Sequence, residues 1–209
     1  MVTTKSEREI NLMKEAGRIV ALAHQAVKNS ICAGMTTKDV DTIVDKIIVE
    51  NNATPSFKGY GGFPAAACVS VNDVLVHGIP DQRILQDGDI VSVDIGANFK
   101  GYHGDSAWTY AVGEISDVAK KLLEVTEASL FEGLKYAKPN NRLYDISHAI
   151  GTYATERGYS LPMDYTGHGI GSALHEDPAI PNMGKANTGI LLKAGMTLEI
   201  GRASCRKRV

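Results

Sequence analysis

Apolar residues recur at helical spacing in two segments near the start of the chain. The first segment begins at Ser6–Glu9, which has the spacing of a capping box, and its apolar positions stay on one helical face until shortly before Gly34. The second begins at Thr37 and follows the i, i+3, i+4, i+7 rule as far as Asn51. The pattern therefore predicts two amphipathic helices, each with one face buried.

The pattern then changes to short apolar runs that are typical of strands. Residues 66–72 predict one strand and Val74–Val76 a second, and residues 87–110 predict a β-hairpin. In the hairpin two β-branched runs flank Asn98–Gly101, which has the composition of a type I turn. If Asn98 faces Gly101, Asp94 faces Asp105 across the strands, with Cβ atoms roughly 5 Å apart.

Two carboxylates in that position destabilise a hairpin unless a cation lies between them or one of them is protonated. A metal ion is the simplest such cation. A solvated pair on an exposed hairpin is the alternative, and it stays open because the register is itself an assumption: a slip of one residue would send Asp94 and Asp105 to opposite faces.

The second half of the chain repeats the order of elements in the first. We expect helices from Ser116 or Asp117 to Ala137 and from Leu143 to Arg157, with Gly158 as a C-cap. The glycine-rich residues 166–171 suggest backbone that passes close to another group, the prolines after His175 suggest an irregular stretch, and residues 191–200 predict a strand. A shift of 107 positions superimposes the two halves, which indicates an internal repeat of helix, helix, strand and strand.

Composition excludes several classes of protein. The chain has 209 residues, 44% hydrophobic and 22% charged, which is enough to form one domain or two closely packed halves. A formal net charge of -2 gives no reason to expect a nucleic-acid or anionic-membrane partner. Three widely separated cysteines, no apolar run of ~20 residues and no signal-peptide core together predict a cytoplasmic protein with free thiols.

The chemistry-bearing residues favour a metal site. Asp94, Asp105 and His168 offer the oxygen and nitrogen donors of divalent transition metals, and His77 and His175 add two further imidazoles. A single histidine is more often a structural residue than a ligand. His168 and His175, however, both lie in glycine- and proline-rich sequence, and together with the facing aspartates they favour a site. No zincin helix, phosphate-binding loop or dinucleotide fingerprint is present in the sequence. Metal-assisted hydrolysis is the reaction class that these residue types support best.

Five ordered motifs between about Lys5 and Leu198 resemble those of bacterial type I methionine aminopeptidases. They are V-N-D-V-L-V-H-G-I-P, D-G-D-I-V-S-V-D-I-G, G-Y-H-G-D-S-A-W-T-Y, G-H-G-I-G-x-x-x-H and K-A-G-M-T-L. The resemblance implies an α/β (α+β) pita-bread fold, with two pseudo-symmetric halves and an antiparallel sheet flanked by helices. It also implies a single aminopeptidase domain over residues 1–198.

The resemblance further implies a dinuclear metal site. By the family's pattern Asp94 binds one metal, Asp105 bridges both and His168 binds the second. The ions would be divalent cobalt, manganese, iron or zinc. A water activated by the metals would then release the initiator methionine from nascent proteins.

Four further residues match substrate-contacting positions of the family. His77 and His175 correspond to the histidines that contact substrate and stabilise the tetrahedral intermediate. Tyr60 and Phe63 fall where the family lines the methionine pocket, although core filling is the simpler interpretation of this aromatic loop. We expect N-terminal methionyl peptides and nascent chains as partners, no nucleic acid or membrane, and a monomer.

The sequence departs from the family's pattern after Leu198. The family continues with I-E-P, whose glutamate binds metal, and later with a second glutamate, whereas position 201 is Gly201. Glu199 lies two residues upstream, about 7 Å along a strand, and we do not expect it to substitute. Residues 199–209 look like a non-native basic tail, so we expect an incomplete domain with impaired activity. The alternatives are a non-catalytic pita-bread peptide-binding protein that has lost its metals, and a related dipeptidase that cleaves X-Pro peptides.

Overall fold

A computed structural model describes residues 2–201 of the chain. Its contacts divide the chain into two compact units. The N-terminal unit comprises Arg8–Ser116 together with Gly171–Leu174, and the C-terminal unit comprises Asp117–Ile170 with residues 2–7 and 175–201. All the site residues predicted from the sequence lie within the described range.

The N-terminal unit packs two helices against a four-stranded antiparallel sheet. Strand β3 lies at the centre, with β1 and β4 as well as β2 paired to it. Buried apolar residues of both helices recur at the predicted helical spacing, and both predicted helices are confirmed. The elements are α1 (Glu7–Ser30), α2 (Thr37–Glu50), β1 (Thr54–Pro55), β2 (Ala67–Val71), β3 (Ile90–Phe99) and β4 (Tyr102–Ala111).

Helix α2 is capped by Thr36 and not, as predicted, by Thr37. The Thr36 hydroxyl accepts from the Asp39 backbone N–H, and the Asp39 carboxylate accepts from the Thr36 N–H in return. A capping box needs an acidic partner three residues on, and only Thr36 has one. Thr37 lies inside the helix, where its hydroxyl donates to the Asp81 carbonyl.

The β3–β4 hairpin has a different register from the one predicted. Lys100 and Gly101 both adopt positive φ, 52° and 86°, so they form a two-residue turn that matches the twist of the strands. Phe99 therefore pairs with Tyr102, and the pairing is displaced by two residues from the predicted one. Because the displacement is even, every side chain keeps its predicted face.

The segment after β2 is irregular, so the predicted strand at Val74–Val76 is wrong. Asn72 turns the chain with a φ of 54°, and its side chain accepts from the Ile90 N–H and donates to the Asp89 carboxylate. The chain then returns to the edge of β2 at Gly78, whose carbonyl accepts from the Val69 N–H. A Cβ at Gly78 would overlap the Val69 carbonyl oxygen.

The C-terminal unit combines two packed helices with a three-stranded antiparallel sheet in the order β6-β5-β7. Helix α3 ends three residues before the predicted Ala137. Strand β6 forms in spite of its prolines, so the irregular stretch predicted there is wrong, and β7 is far shorter than the predicted strand at residues 191–200. The elements are α3 (Asp117–Leu134), α4 (Leu143–Thr155), β5 (Thr166–Gly169), β6 (Glu176–Pro181) and β7 (Leu198–Glu199).

Matched contacts in the two units confirm the internal repeat. Each unit has an isolated bridge between the residue before its second helix and a residue ahead of a strand, and each second helix begins with a capping box that uses an aspartate. A glycine with positive φ precedes the strand in both units. The equivalent pairs, 106 or 107 positions apart, are Thr36 and Arg142, Asp39 and Asp145, Ile84 and Leu191, and Gly88 and Gly195.

Three further predictions concern membranes, thiols and the tail. Across residues 2–201, none of the helices is both long and apolar enough to cross a membrane. Cys32 is an exposed free thiol and Cys68 a buried one, as the sequence predicts. Cys205 and the rest of residues 202–209 lie outside the described residues.

Candidate active site

Asp94 and Asp105 lie on one face of the hairpin, and both are half-buried. They are diagonal neighbours and do not face each other, because Asp94 pairs with Ala107 and Asp105 pairs with Gly96. Each carboxylate therefore faces a small residue across the ladder. Diagonal positions are roughly 7–8 Å apart at Cα and remain close enough for two carboxylates to share one group between them.

Cys68 reports the negative potential at this face. It is the cross-strand neighbour of Asp94 on β2 and is only 4% exposed. Burial, together with the negative charges of Asp94, Asp105 and Asp41, raises the pKa of the Cys68 thiol to about 12. The negative charges of both carboxylates thus reach the same buried side chain, and this negative potential favours the binding of a cation at this face of the hairpin.

His168 lies on β5 with its ring held by the backbone. Its Nδ1 is 2.8 Å from the carbonyl oxygen of Gly169, which can only accept, so Nδ1 carries a proton and donates. Metal-binding histidines generally donate one ring N–H to a carbonyl or carboxylate in this way, and coordinate through the other nitrogen. The His175 ring packs edge-on against the His168 ring, with centroids 4.3 Å apart.

Glu199 is a neighbour of His168 that the sequence argument set aside. The two residues are paired directly across β5 and β7, and the Glu199 carboxylate oxygen is 3.8 Å from His168 Nε2. One feature of the sequence could have indicated this contact, because Glu199 lies in the last predicted strand. Which residue it faces, however, depends on the register of that strand, and the register depends on contacts with the glycines of β5. A Cβ at Gly167 would lie 2.5 Å from the Glu199 carbonyl oxygen, so the predicted close backbone approach is confirmed.

The predicted substrate residues of the N-terminal unit differ in exposure. Tyr60 is 52% exposed on a short 3-10 turn, Tyr60–Gly62, and Phe63 is half-buried. Phe57 is buried against Gly96, so the core-filling interpretation of the aromatic loop applies to Phe57 and not to Tyr60. His77 is exposed and has a φ of 57°, a conformation that costs free energy for a residue with a Cβ.

Each unit carries side chains of the types that divalent transition metals bind. Asp94 and Asp105 belong to the N-terminal unit, whereas His168 and His175 belong to the C-terminal unit. Across residues 2–201, the structure forms no cluster of three or more His, Cys, Asp and Glu side chains with the spacing of a metal site. Carboxylate oxygens with an Nε2-coordinating imidazole are nevertheless the ligands that zinc, iron, manganese and cobalt bind.

Solved structures of methionine aminopeptidases share this fold of antiparallel sheets and helices, which is the pita-bread fold. The chain belongs to metallopeptidase family M24, whose model matches residues 11–201.

Individual proteins of this class differ in how similar they are to this chain. The chain is 57% identical over 200 residues to methionine aminopeptidase 1 of Bacillus subtilis, which covers 96% of this chain and 81% of the relative. The crystal structure of methionine aminopeptidase from Thermotoga maritima has a TM-score of 0.93 at 46% identity and covers 95% of this chain and 80% of its own. Prolidase from Pyrococcus furiosus has a TM-score of 0.82 at 25% identity, with 95% of this chain and 57% of its own covered. This chain is thus more similar to these two methionine aminopeptidases in sequence than to this prolidase, and more similar in fold to the one from Thermotoga maritima.

Proposed function

We propose that the protein is a metal-dependent aminopeptidase that removes the initiator methionine from nascent proteins. The observation that carries the proposal is the pair of diagonal carboxylates, Asp94 and Asp105, on a hairpin of the M24 fold. The substrate follows from the 57% identity to a methionine aminopeptidase. A non-catalytic binding protein is disfavoured, because Asp94, Asp105 and His168, the three remaining ligand positions, all have ligand-type side chains.

The metal ligands in this proposal are Asp94, Asp105 and His168. Asp94 would hold one ion, Asp105 would be shared by two, and His168 would bind through Nε2, since its Nδ1 donates to the Gly169 carbonyl. Divalent cobalt, manganese, iron or zinc suits these donors. When bound, such ions would lower the pKa of a water nucleophile and polarise the scissile carbonyl.

Four residues act on the substrate itself. His77 and His175 hold the peptide and donate hydrogen bonds to the oxygen that becomes negative as the tetrahedral intermediate forms. Tyr60 and Phe63 surround the methionine side chain and exclude water from it. The exposure of Tyr60 supports this role, because a ring that is 52% exposed keeps apolar surface for a ligand to cover.

The wider setting is also part of the proposal. Residues 1–198 act as one aminopeptidase domain, and the protein works as a cytoplasmic monomer on free N-termini of nascent chains. Its charge of -2 supports an absence of nucleic-acid and membrane partners.

Peptide cleavage tests the proposal against both alternatives. We expect the manganese- or cobalt-treated chain to release methionine from Met-Ala-Ser and to leave an Ala-Pro peptide intact. Cleavage of Ala-Pro without methionine release would favour the dipeptidase. Binding of Met-Ala-Ser that is insensitive to chelator, with no turnover, would favour the binding protein.

A further inference from the structure

His103 joins the carboxylate face of the hairpin to the aromatic loop, residues 56–66. It lies on β4 two positions before Asp105, on the same face, and is paired with Asn98 of β3. Both of its ring nitrogens have side-chain partners. Nε2 is 2.9 Å from Asn98 Nδ2, and Nδ1 is 2.8 Å from the hydroxyl oxygen of Ser56.

The neighbouring backbone determines which nitrogen of His103 carries the proton. The Gly101 N–H donates to Asn98 Oδ1 at 2.9 Å, so the amide nitrogen of Asn98 is the atom that faces His103. That nitrogen can only donate, and His103 Nε2 must therefore accept. The proton is on Nδ1, which donates to Ser56.

Ser56 is the first residue of the aromatic loop, and it is buried. Its backbone N–H donates to the Gly96 carbonyl at 2.9 Å, while its hydroxyl accepts from His103. The adjacent Phe57 ring occupies the space over Gly96, where a Cβ would lie 2.7 Å from the ring. The start of the loop is thus fixed to the strands that carry Asp94 and Asp105.

The other end of the loop has its own anchor, and the middle has none outside the loop among the backbone hydrogen bonds found in residues 2–201. The buried Asp41 carboxylate of α2 accepts from the N–H groups of Ala66 and Ala67, at 2.8 and 3.1 Å. Between the anchors, Gly59 N–H donates to the Phe63 carbonyl and Tyr60 N–H to that of Phe57. The exposed Lys58 ammonium group also donates to the Asp45 carboxylate of α2 at 3.2 Å, so Tyr60 and Phe63 lie on a loop that is attached at Ser56, at Lys58 and at Ala66.

We infer that His103 is a positioning residue that holds the aromatic loop against the carboxylate face and thereby sets selectivity for the N-terminal side chain of the substrate. The inference rests on the proposed function for its substrate, while the anchor itself rests on the contacts of His103. His103 touches neither the substrate nor a metal in this role. It acts through Ser56 on Tyr60 and Phe63.

Hydrogen–deuterium exchange tests the anchor without any turnover. In His103→Ala we expect the amides of residues 56–63 to exchange roughly tenfold faster than in the wild type, because one hydrogen bond to the loop is lost. His103→Asn keeps an N–H donor on the atom that corresponds to Nδ1, and should restore most of the protection. Unchanged exchange of residues 56–63 in His103→Ala would overturn the anchor.

His24 provides a matched control on the opposite face of the same hairpin. It lies on α1, and its ring nitrogens are 2.9 Å from the Tyr110 hydroxyl and 2.9 Å from the Ser106 carbonyl oxygen. His24→Ala therefore also removes two hydrogen-bond contacts of a histidine ring at the hairpin, and these two contacts go to β4 and not to the loop. We expect its residues 56–63 to exchange as in the wild type, and faster exchange equal to that of His103→Ala would contradict a specific anchor.

Selectivity is then measured with Met-Ala-Ser and Leu-Ala-Ser. For His103→Ala we expect KM for Met-Ala-Ser to rise roughly tenfold with little change in kcat, and the preference for methionine over leucine to fall. A drop in kcat alone, with the preference retained, would overturn the role in selectivity. Failure of the wild type to release methionine would refute the proposed function, and the exchange experiment would still decide the anchor.

Discussion

Cys68 illustrates how strongly single side chains in this fold depend on their surroundings. It and Cys32 are both free thiols, but Cys68 is buried beside two carboxylates and Cys32 is exposed. Because the thiolate is the nucleophile, a thiol with a pKa of about 12 is inert near neutrality. We expect iodoacetamide at pH 8 to alkylate Cys32 and to spare Cys68 in the folded protein, as measured by peptide mass mapping.

Unfolding in guanidinium is the control for this prediction, since it should make Cys68 as reactive as Cys32. Alkylation of Cys68 in the folded protein at the rate of Cys32 would contradict the raised pKa.

The same thiol makes stability depend on pH. Its ordinary pKa of 9.0 applies in the unfolded chain and about 12 in the folded one, so between these values the unfolded chain has lost a proton that the folded chain retains. The stabilising contribution is therefore complete below pH 9.0 and declines above it. We expect the free energy of unfolding, from urea titrations at several pH values, to fall less steeply over this window in Cys68→Ala than in the wild type. Equal slopes would contradict the prediction.

For single residues, the sequence predicts the kind of chemistry better than it predicts which side chains are in contact. Strand periodicity predicts that Asp94 and Asp105 lie on one face of the hairpin. The glycine-rich sequence around His168 marks it as a candidate ligand. The partnership of His168 with Glu199 does not follow, because it depends on the register of two strands that are distant in sequence. The bond from His103 to Ser56 is missed for the same reason.

Among the elements, helix α1 and strand β4 approach each other through two glycines. A Cβ at Gly104 would lie 2.7 Å from the Gly17 nitrogen, whereas a Cβ at Gly17 would meet nothing within 4 Å. We expect Gly104→Ala to lower the free energy of unfolding by about 1–3 kcal/mol, since helix backbone cannot yield. Gly17→Ala should raise it by roughly 0.5–1 kcal/mol, because alanine is the better helix former.

Both variants replace a glycine by an alanine, so urea unfolding compares the same chemical change at the two sites. Equal effects of the two substitutions would contradict the close packing of α1 on β4.

The start of helix α4 depends on the Asp145 carboxylate. Its pKa is lowered because its carboxylate accepts from the backbone N–H groups of Asn187 and Arg142, each at 2.7 Å. The carboxylate therefore stabilises the fold above its ordinary pKa, and this contribution is lost as the pH falls through the lowered value. We expect Asp145→Ala to cost about 1 kcal/mol at pH 7, with a smaller difference from the wild type in acid.

Thermal unfolding at pH 7 and pH 3 measures this, and Asp164→Ala, an exposed aspartate, is the control. A cost for Asp145→Ala that is the same at both pH values would show that the carboxylate charge is not responsible.

Helices are predicted better than strands at the scale of elements. The helical pattern is periodic over many residues, so α1, α2 and α4 start or end within a few residues of the prediction. The hairpin register depends on whether Lys100 adopts positive φ, which the residue type does not reveal. Strand β6 is hidden by its prolines, because proline normally breaks a ladder.

For the whole molecule, ordered motifs and an internal repeat predict more than any local pattern. The repeat recurs as matched bridges, capping boxes and left-handed glycines in each unit. The family assignment follows from motifs spread over nearly the whole chain, and the M24 match over residues 11–201 confirms it. His168 lies more than sixty positions after Asp105 in the sequence, so periodicity alone cannot join it to the two aspartates, and the proposal that all three residues bind metal rests on the family.

In the proposed function, Asp94, Asp105 and His168 hold the metal on which methionine release depends. The most direct measurement follows methionine release from Met-Ala-Ser by chelator-treated chain, before and after manganese is restored, in the wild type, Asp105→Asn and the surface control Asp164→Asn. We expect the wild type and Asp164→Asn to regain release with manganese, and Asp105→Asn to regain less than about a hundredth of it. Release that survives chelation, or an Asp105→Asn chain as active as the wild type, would contradict the claim.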